Sequence, residues 1–262
     1  NLTILGTGNA TVTHCYNTCF VLDEGGQYLL VDGGGGTALQ QLEKAQLRWQ
    51  DMRTVFVTHK HMDHLLGILW LMRMMVSPGG AGLMMAKRIY GHEEVISLLR
   101  TMGKNLLSSK DSAFLDDRLH LVTVADGETR QLIGHDVTFF DIRSTKAKQF
   151  GFSLALADGR LTAVAMNRTS LEEVYVRDSK WLLHEAFCLD AEADIFHPYE
   201  KHHSTVKDAC ETAARLGVQN LILYHTEDKN LAHRRQRYHA EGCQYYQGKL
   251  YIPDDLDVIR NL

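Results

Sequence analysis

Between Thr54 and Val76 the chain places three histidines and an aspartate at the junction of two strongly apolar segments. Thr54-Val55-Phe56-Val57-Thr58 is a β-branched and aromatic run that reads as a short buried strand, and Leu65 to Val76 (LLGILWLMRMMV) reads as a core helix. The residues that join them, Thr58-His59-Lys60-His61-Met62-Asp63-His64, are therefore held at a strand end against a core. In extended backbone, side chains two apart point the same way, so His59 and His61 converge while a turn brings Asp63 and His64 in from another direction. Imidazole and carboxylate in that arrangement suit zinc, iron or manganese, and two adjacent metal positions follow. A chance cluster of surface histidines would not be bracketed by buried segments on both sides.

The rest of the chain supplies α/β grammar around this junction. Strands are expected over 2–5, 18–22, 28–31, 119–124, 137–142 and 152–156, and helices over 37–48 and 92–102. Ser204 or Thr205 can cap a helix whose apolar residues Val206, Ala209, Cys210, Ala213 and Leu216 recur at helical spacing, and Gly217 stops it. Leu221 to Tyr224 then forms a buried strand with His225 at its carboxyl end. Only three prolines occur, and no low-complexity run or fixed-period repeat marks a linker, so residues 1–262 read as one domain. A formal charge of −4 excludes a broadly basic nucleic-acid-coating protein but permits a local basic patch for a phosphate-bearing substrate. Five scattered cysteines without a CxxC indicate neither a disulfide framework nor a zinc ribbon. The first residues lack a signal-peptide pattern, and the 65–76 run carries Arg73 and falls short of the about 20 apolar residues a bilayer needs. No membrane association and a cytoplasmic location are expected.

The H-x-H-x-D-H segment, in a chain opening with Leu5-Gly6-Thr7-Gly8, resembles the metallo-β-lactamase superfamily, and most closely its ribonuclease Z branch. Tyr16-Asn17-Thr18, Leu30-Val31-Asp32-Gly33-Gly34, His184-Glu185-Ala186 and His203-Ser204-Thr205 match further pieces in the same order. The resemblance implies a four-layer αβ/βα sandwich with a dinuclear metal site between its sheets. It also implies that His59 and His61 bind a first metal, that Asp63, His64 and His225 bind a second, and that Glu185 and His203 assist proton transfer to the leaving oxygen. Asp32 is read as a buried acceptor for turn amides, and the Arg234-Arg235-Gln236-Arg237 run as a solvated face.

Two ligands of the family pattern are replaced. Arg143 stands near the expected central-strand histidine, and Met166 or Asn167 near the expected bridging aspartate. A guanidinium, thioether or carboxamide cannot do the work of an anionic bridge, so one ion, most readily zinc, is expected in preference to two. Arg143 is expected to point into the pocket and meet a substrate anion or Asp63. Two functions compete. One is a metal-dependent hydrolase acting on a small phosphodiester or related ester, with transfer RNA disfavoured because no long inserted arm is evident between residues 65 and 140. The other is a degenerate member kept as a binding or scaffold protein. The resemblance is compatible with a homodimer.

Overall fold

The computed structural model describes residues 1–77, 86–164 and 173–262. Alternation along each strand builds two sheets that share one apolar interior. The first contains β1 (Leu2–Gly6), β2 (Cys19–Glu24), β3 (Gln27–Val31), β4 (Thr54–Phe56), β5 (Lys87–Gly91) and β6 (Leu119–Thr123) in sequential order. The second contains β7 (Thr129–Leu132), β8 (His135–Asp141), β9 (Phe150–Leu156), β10 (Gly159–Val164), β11 (Trp181–Glu185), β12 (Asn220–Tyr224) and β13 (Lys249–Tyr251). Strand β14 (Val258–Ile259) returns to pair with β1. Leu2, Ile4, Phe20 and Phe56 from one sheet meet Phe139, Phe152, Leu183 and Ile222 from the other. Phe56 and Phe139 have ring centroids 4.8 Å apart.

The opposite faces of the same strands carry the outer layers, as a two-residue period requires. Leu5, Val21, Leu30 and Val55 pack under α1 (Ala38–Lys44), α2 (Met62–Val76) and α3 (Glu93–Leu106). Helices α4 (Ser109–Ser112), α5 (Glu173–Val176) and α6 (Ala193–Phe196) are single turns. Leu182, Leu221 and Leu223 of the second sheet pack under α7 (Val206–Arg215) and α8 (Arg234–Gly242). The result is the helix–sheet–sheet–helix sandwich expected from the sequence. Helix α7 begins as expected: Thr205 Oγ1 accepts from the Asp208 amide, and the Asp208 carboxylate accepts from the Thr205 amide. Gly217, with φ of +69°, follows it.

Two differences from the sequence reading bear on function. Helix α2 begins at Met62, not Leu65, so Asp63 and His64 stand on its first turn rather than in a preceding turn. Glycine makes this placement possible: a side chain on Gly67 would collide with the Gly33 carbonyl oxygen. The helix thus lies directly on the turn after β3, where the Gly33 amide donates to the His64 carbonyl at 2.8 Å. The second difference is that β5, β7, β10, β13 and β14 complete the sheets beyond the expected strands. Strands β3–β6 run parallel, as do β10–β13. Their carboxyl ends deliver Asp32, His59, Glu185 and His225 to one edge of the sandwich, where α/β ligand sites form.

Candidate metal centre

Three buried imidazoles at this edge are fixed by the same device. Asp32 accepts from the Thr58 amide and hydroxyl, each at 2.8 Å, and from His64 Nδ1 at 2.7 Å. Because the Thr58 hydroxyl proton goes to Asp32, its oxygen must accept from His59 Nδ1, 2.9 Å away. Thr18 repeats the logic: its hydroxyl donates to the Gly8 carbonyl at 2.9 Å and so accepts from His225 Nδ1 at 3.0 Å. These bonds put a proton on Nδ1 of each of the three histidines and turn its Nε2 toward the cleft, where that of His59 meets His61. Asp32 therefore does more than accept turn amides, and the threonine props were not singled out in the sequence.

The structure brings His59, His61, Asp63, His64 and His225 together. His59 Nε2 lies 3.0 Å from His61 Nδ1, the His59 and His64 ring centroids are 4.1 Å apart, and those of His64 and His225 are 5.3 Å apart. Ligand atoms of Asp63, His64 and His225 lie within 4.8 Å of one another, and so do those of Glu185, His203 and His225. His64 Nε2 is buried without a hydrogen-bond partner, 3.3 Å from an Asp63 oxygen. An orphaned buried acceptor beside a carboxylate is what a cation position requires, and Asp63, His64 and His225 fit one divalent ion with room left for water.

Burial and charge reinforce that fit. Burial above all, with His64 and His61 alongside, holds His59 well below the ordinary histidine range. Burial likewise takes His225 down to about 4, against the opposing carboxylates Glu185 and Asp63. Burial would depress His64 too, but Asp32 and Asp63 together outweigh it and raise it to about 10. Asp63 is held far below the usual carboxylate range, since His64 overcomes the burial that would raise it. The pocket thus offers two neutral imidazoles and demands one positive charge between two carboxylates. A proton on His64 meets that demand when no cation does.

The first metal position is poorer. Beyond His59 and His61, the described residues bring no third ligand to it. Arg143, expected to turn into the pocket, instead pairs its guanidinium with Asp126 at 2.7 Å and lies 3.9 Å from Asp141, with its side chain 55% exposed. The backbone explains this: Arg143 adopts a left-handed conformation with φ of +54°, and its amide donates to the Asp141 carboxylate. Met166 and Asn167 lie outside the described residues.

On the opposite wall, Glu185 Oε1 accepts from the Ser204 amide at 2.7 Å and pairs with His203 Nδ1 at 3.0 Å. The His203 ring stacks on Phe187 at 4.6 Å and lies 5.6 Å from the His225 ring. Glu185 stays ionised despite its burial, because His203 draws its carboxyl down. Of the remaining histidines, His14 pairs with Asp228, His184 bonds the Glu185 carbonyl, and His197 lies beside Glu200. Arg234 corrects the expected solvated face. It is 1% exposed, and it donates to the Thr7 and Thr226 hydroxyls, the Pro253 carbonyl and Asp254.

Comparison with known proteins places this geometry. A family model described as the anti-Pycsar protein Apyc1 matches residues 1–247. Ribonuclease Z of Thermococcus sibiricus is 26% identical over 303 residues, covering 98% of this chain and 94% of that protein. The crystal structure of the metallo-β-lactamase fold protein YhfI from Bacillus subtilis superposes with a TM-score of 0.78 at 16% identity, covering 98% of this chain and 96% of that one. Human tRNase Z, short form, gives 0.72 at 22% identity and covers 98% of both chains. The fold is that of the metallo-β-lactamase superfamily, and the chain is ribonuclease Z-like.

Proposed function

We propose, for a chain that belongs to the Apyc1 family of anti-Pycsar proteins, that the cleft hydrolyses a small phosphodiester or related ester with the help of one divalent cation. The observation that carries this reading is the set of buried imidazoles with Nδ1 tied back and Nε2 left for the cleft beside Asp63. Asp63, His64 and His225 would hold the ion, zinc in the first instance. When bound, such an ion supplies positive charge that acidifies water and polarises an ester oxygen.

The chain's own groups do the rest. Asp32 and Thr18 fix the His64 and His225 rings, so ligand geometry needs no reorganisation. Asp63, kept ionised, accepts a hydrogen bond from the attacking water and orients it. His203, oriented through Nδ1 by Glu185, presents its other ring nitrogen to protonate the departing oxygen. Glu185 holds the imidazolium that gives this proton, and the neutral ring left afterwards keeps its Nδ1 hydrogen bond to Glu185, which also retains the Ser204 amide.

The test is hydrolysis of bis(4-nitrophenyl) phosphate, with zinc counted in each variant. Asp63→Ala should abolish turnover, whereas His59→Ala, on the depleted side, should keep a measurable fraction. Collapse of His59→Ala as complete as that of Asp63→Ala, with one zinc still bound to the His59 variant, would refute a one-ion mechanism, and activity surviving Asp63→Ala would remove this pocket from catalysis. The mutual hydrogen bond of His59 and His61 favours a second reading, a binding protein that has lost catalysis. That reading expects no zinc in the purified chain and no hydrolysis.

A further inference from the structure

The loop between β8 and β9 spans the mouth of the cleft. Its base is closed by the Ile142 amide donating to the Gln149 carbonyl at 3.0 Å, next to the last strand pair, Asp141 and Phe150. From the second sheet it reaches the first, where the Phe150 amide donates to the Thr58 carbonyl at 3.0 Å, one residue before His59. Its tip meets the opposite wall, where Thr145 Oγ1 lies 3.2 Å from His202 Nδ1, beside His203. The loop therefore borders both ends of the row of imidazoles that runs from His61 to His203.

Between Ile142 and Gln149 this loop carries Arg143, Lys146 and Lys148 and no acidic residue. Two of those cations are engaged. Arg143 pairs with Asp126, and the Lys148 ammonium lies 5.5 Å from the centre of the Phe150 ring. Lys146 is exposed, and among the described residues no carboxylate pairs with it. It directly follows Thr145, whose hydroxyl lies beside His202 at the cleft wall.

A phosphodiester brings a negative charge to a site where the sequence offers Met166 or Asn167 in place of the expected bridging aspartate and where, among the described residues, no third ligand joins His59 and His61. We propose that Lys146 binds the phosphate of the substrate, supplying from the β8–β9 loop a positive charge at the mouth of the cleft. The role that the sequence offered to Arg143 passes to a lysine three residues on. An ammonium on a flexible stem suits it, because it can follow the phosphate without a fixed geometry. The assignment rests on the hydrolase reading only for the identity of the anion.

Inorganic phosphate, titrated calorimetrically into the zinc-loaded protein, tests the binding directly. Lys146→Ala should weaken phosphate about tenfold, in the range of a charge-assisted hydrogen bond. Lys146→Arg should stay within about threefold of wild type, and Lys148→Ala should leave the affinity unchanged, on the same scale. Kinetically, Lys146→Ala should raise KM for bis(4-nitrophenyl) phosphate with little change in kcat, the pattern of lost uniform binding. Zinc content and melting temperature should match wild type. Unchanged phosphate affinity in Lys146→Ala would overturn the assignment, and so would loss of zinc in that variant. Phosphate bound through Lys146 by a protein that leaves the diester intact would refute the hydrolase reading while supporting this one.

Discussion

Replacing Asp32 by asparagine changes one atom, yet it should reset the protons of two histidines. The carboxylate faces three donors: the Thr58 amide, the Thr58 hydroxyl and His64 Nδ1. An asparagine offers one acceptor oxygen and one donor amide in the same space. If its oxygen takes the Thr58 amide, its NH2 group faces the hydroxyl and His64. His64 must then accept at Nδ1 and carry its proton on Nε2, the atom the cleft needs as a lone pair. The Thr58 hydroxyl, now accepting, turns its proton toward His59 Nδ1 and moves that histidine's proton to Nε2 as well. Loss of a group that orients a ligand lowers metal affinity by about 10–100-fold, and this one orients two imidazoles, so about 100-fold, or about 2.7 kcal/mol, is expected. Zinc competition against a chromophoric chelator measures the affinity, and imidazole nitrogen NMR of the zinc-free protein reads the protons, with both His64 nitrogens protonated in the wild type and Nε2 alone in Asp32→Asn. Zinc affinity within about threefold of wild type, a far smaller loss than orienting groups produce, would refute the proton argument.

Two further expectations follow from the same network. Thr18→Val should weaken zinc about tenfold by freeing the His225 ring, and Thr18→Ser should restore it, in the same competition titration. Arg234→Ala should cost about 3 kcal/mol in urea unfolding, because the buried Pro253 carbonyl loses a donor and the Thr7 and Thr226 hydroxyls, which still donate elsewhere, lose the group they accept from; the exposed neighbour, in Arg235→Ala, should cost less than about 1 kcal/mol.

The strands that could be read in advance are those whose burial is written in their own residues. Thr54–Thr58 is apolar on both faces because it lies between two packed layers, Val55 and Val57 toward the helices and Phe56 toward the second sheet. Strand β5 reads Lys87-Arg88-Ile89-Tyr90-Gly91, and its character depends on partners: the Lys87 ammonium lies 4.7 Å from the centre of the Trp49 ring, and β4 and β6 flank the strand. Strands β13 and β14 have three and two residues, too short for a period to show. Helix α8 had a readable signal that composition obscured. Arg234, Tyr238 and Gly242 recur every four residues and form the buried face, while Arg235 and Arg237 between them make the run look solvated.

In the cleft, the candidate ligand residues were legible because histidines and an aspartate clustered between apolar runs are uncommon. The threonines that set their tautomers were not, since the Thr18–His225 contact joins positions 207 residues apart. That hidden layer also bears on how the surviving His59 and His61 are interpreted. Retention of both would ordinarily argue for a working first metal. Yet the props do not divide between the two positions: Asp32 accepts from Thr58, which fixes His59, and from His64, which belongs to the second position. The His59 ring packs against His64 at 4.1 Å, and His61 is hydrogen-bonded to His59. Removing His59 would therefore disturb the neighbour of a second-position ligand even in a protein that never binds a first ion. Packing around His64 is a sufficient reason for the H-x-H pair, so its presence does not set the number of ions, and among the described residues no third ligand joins it.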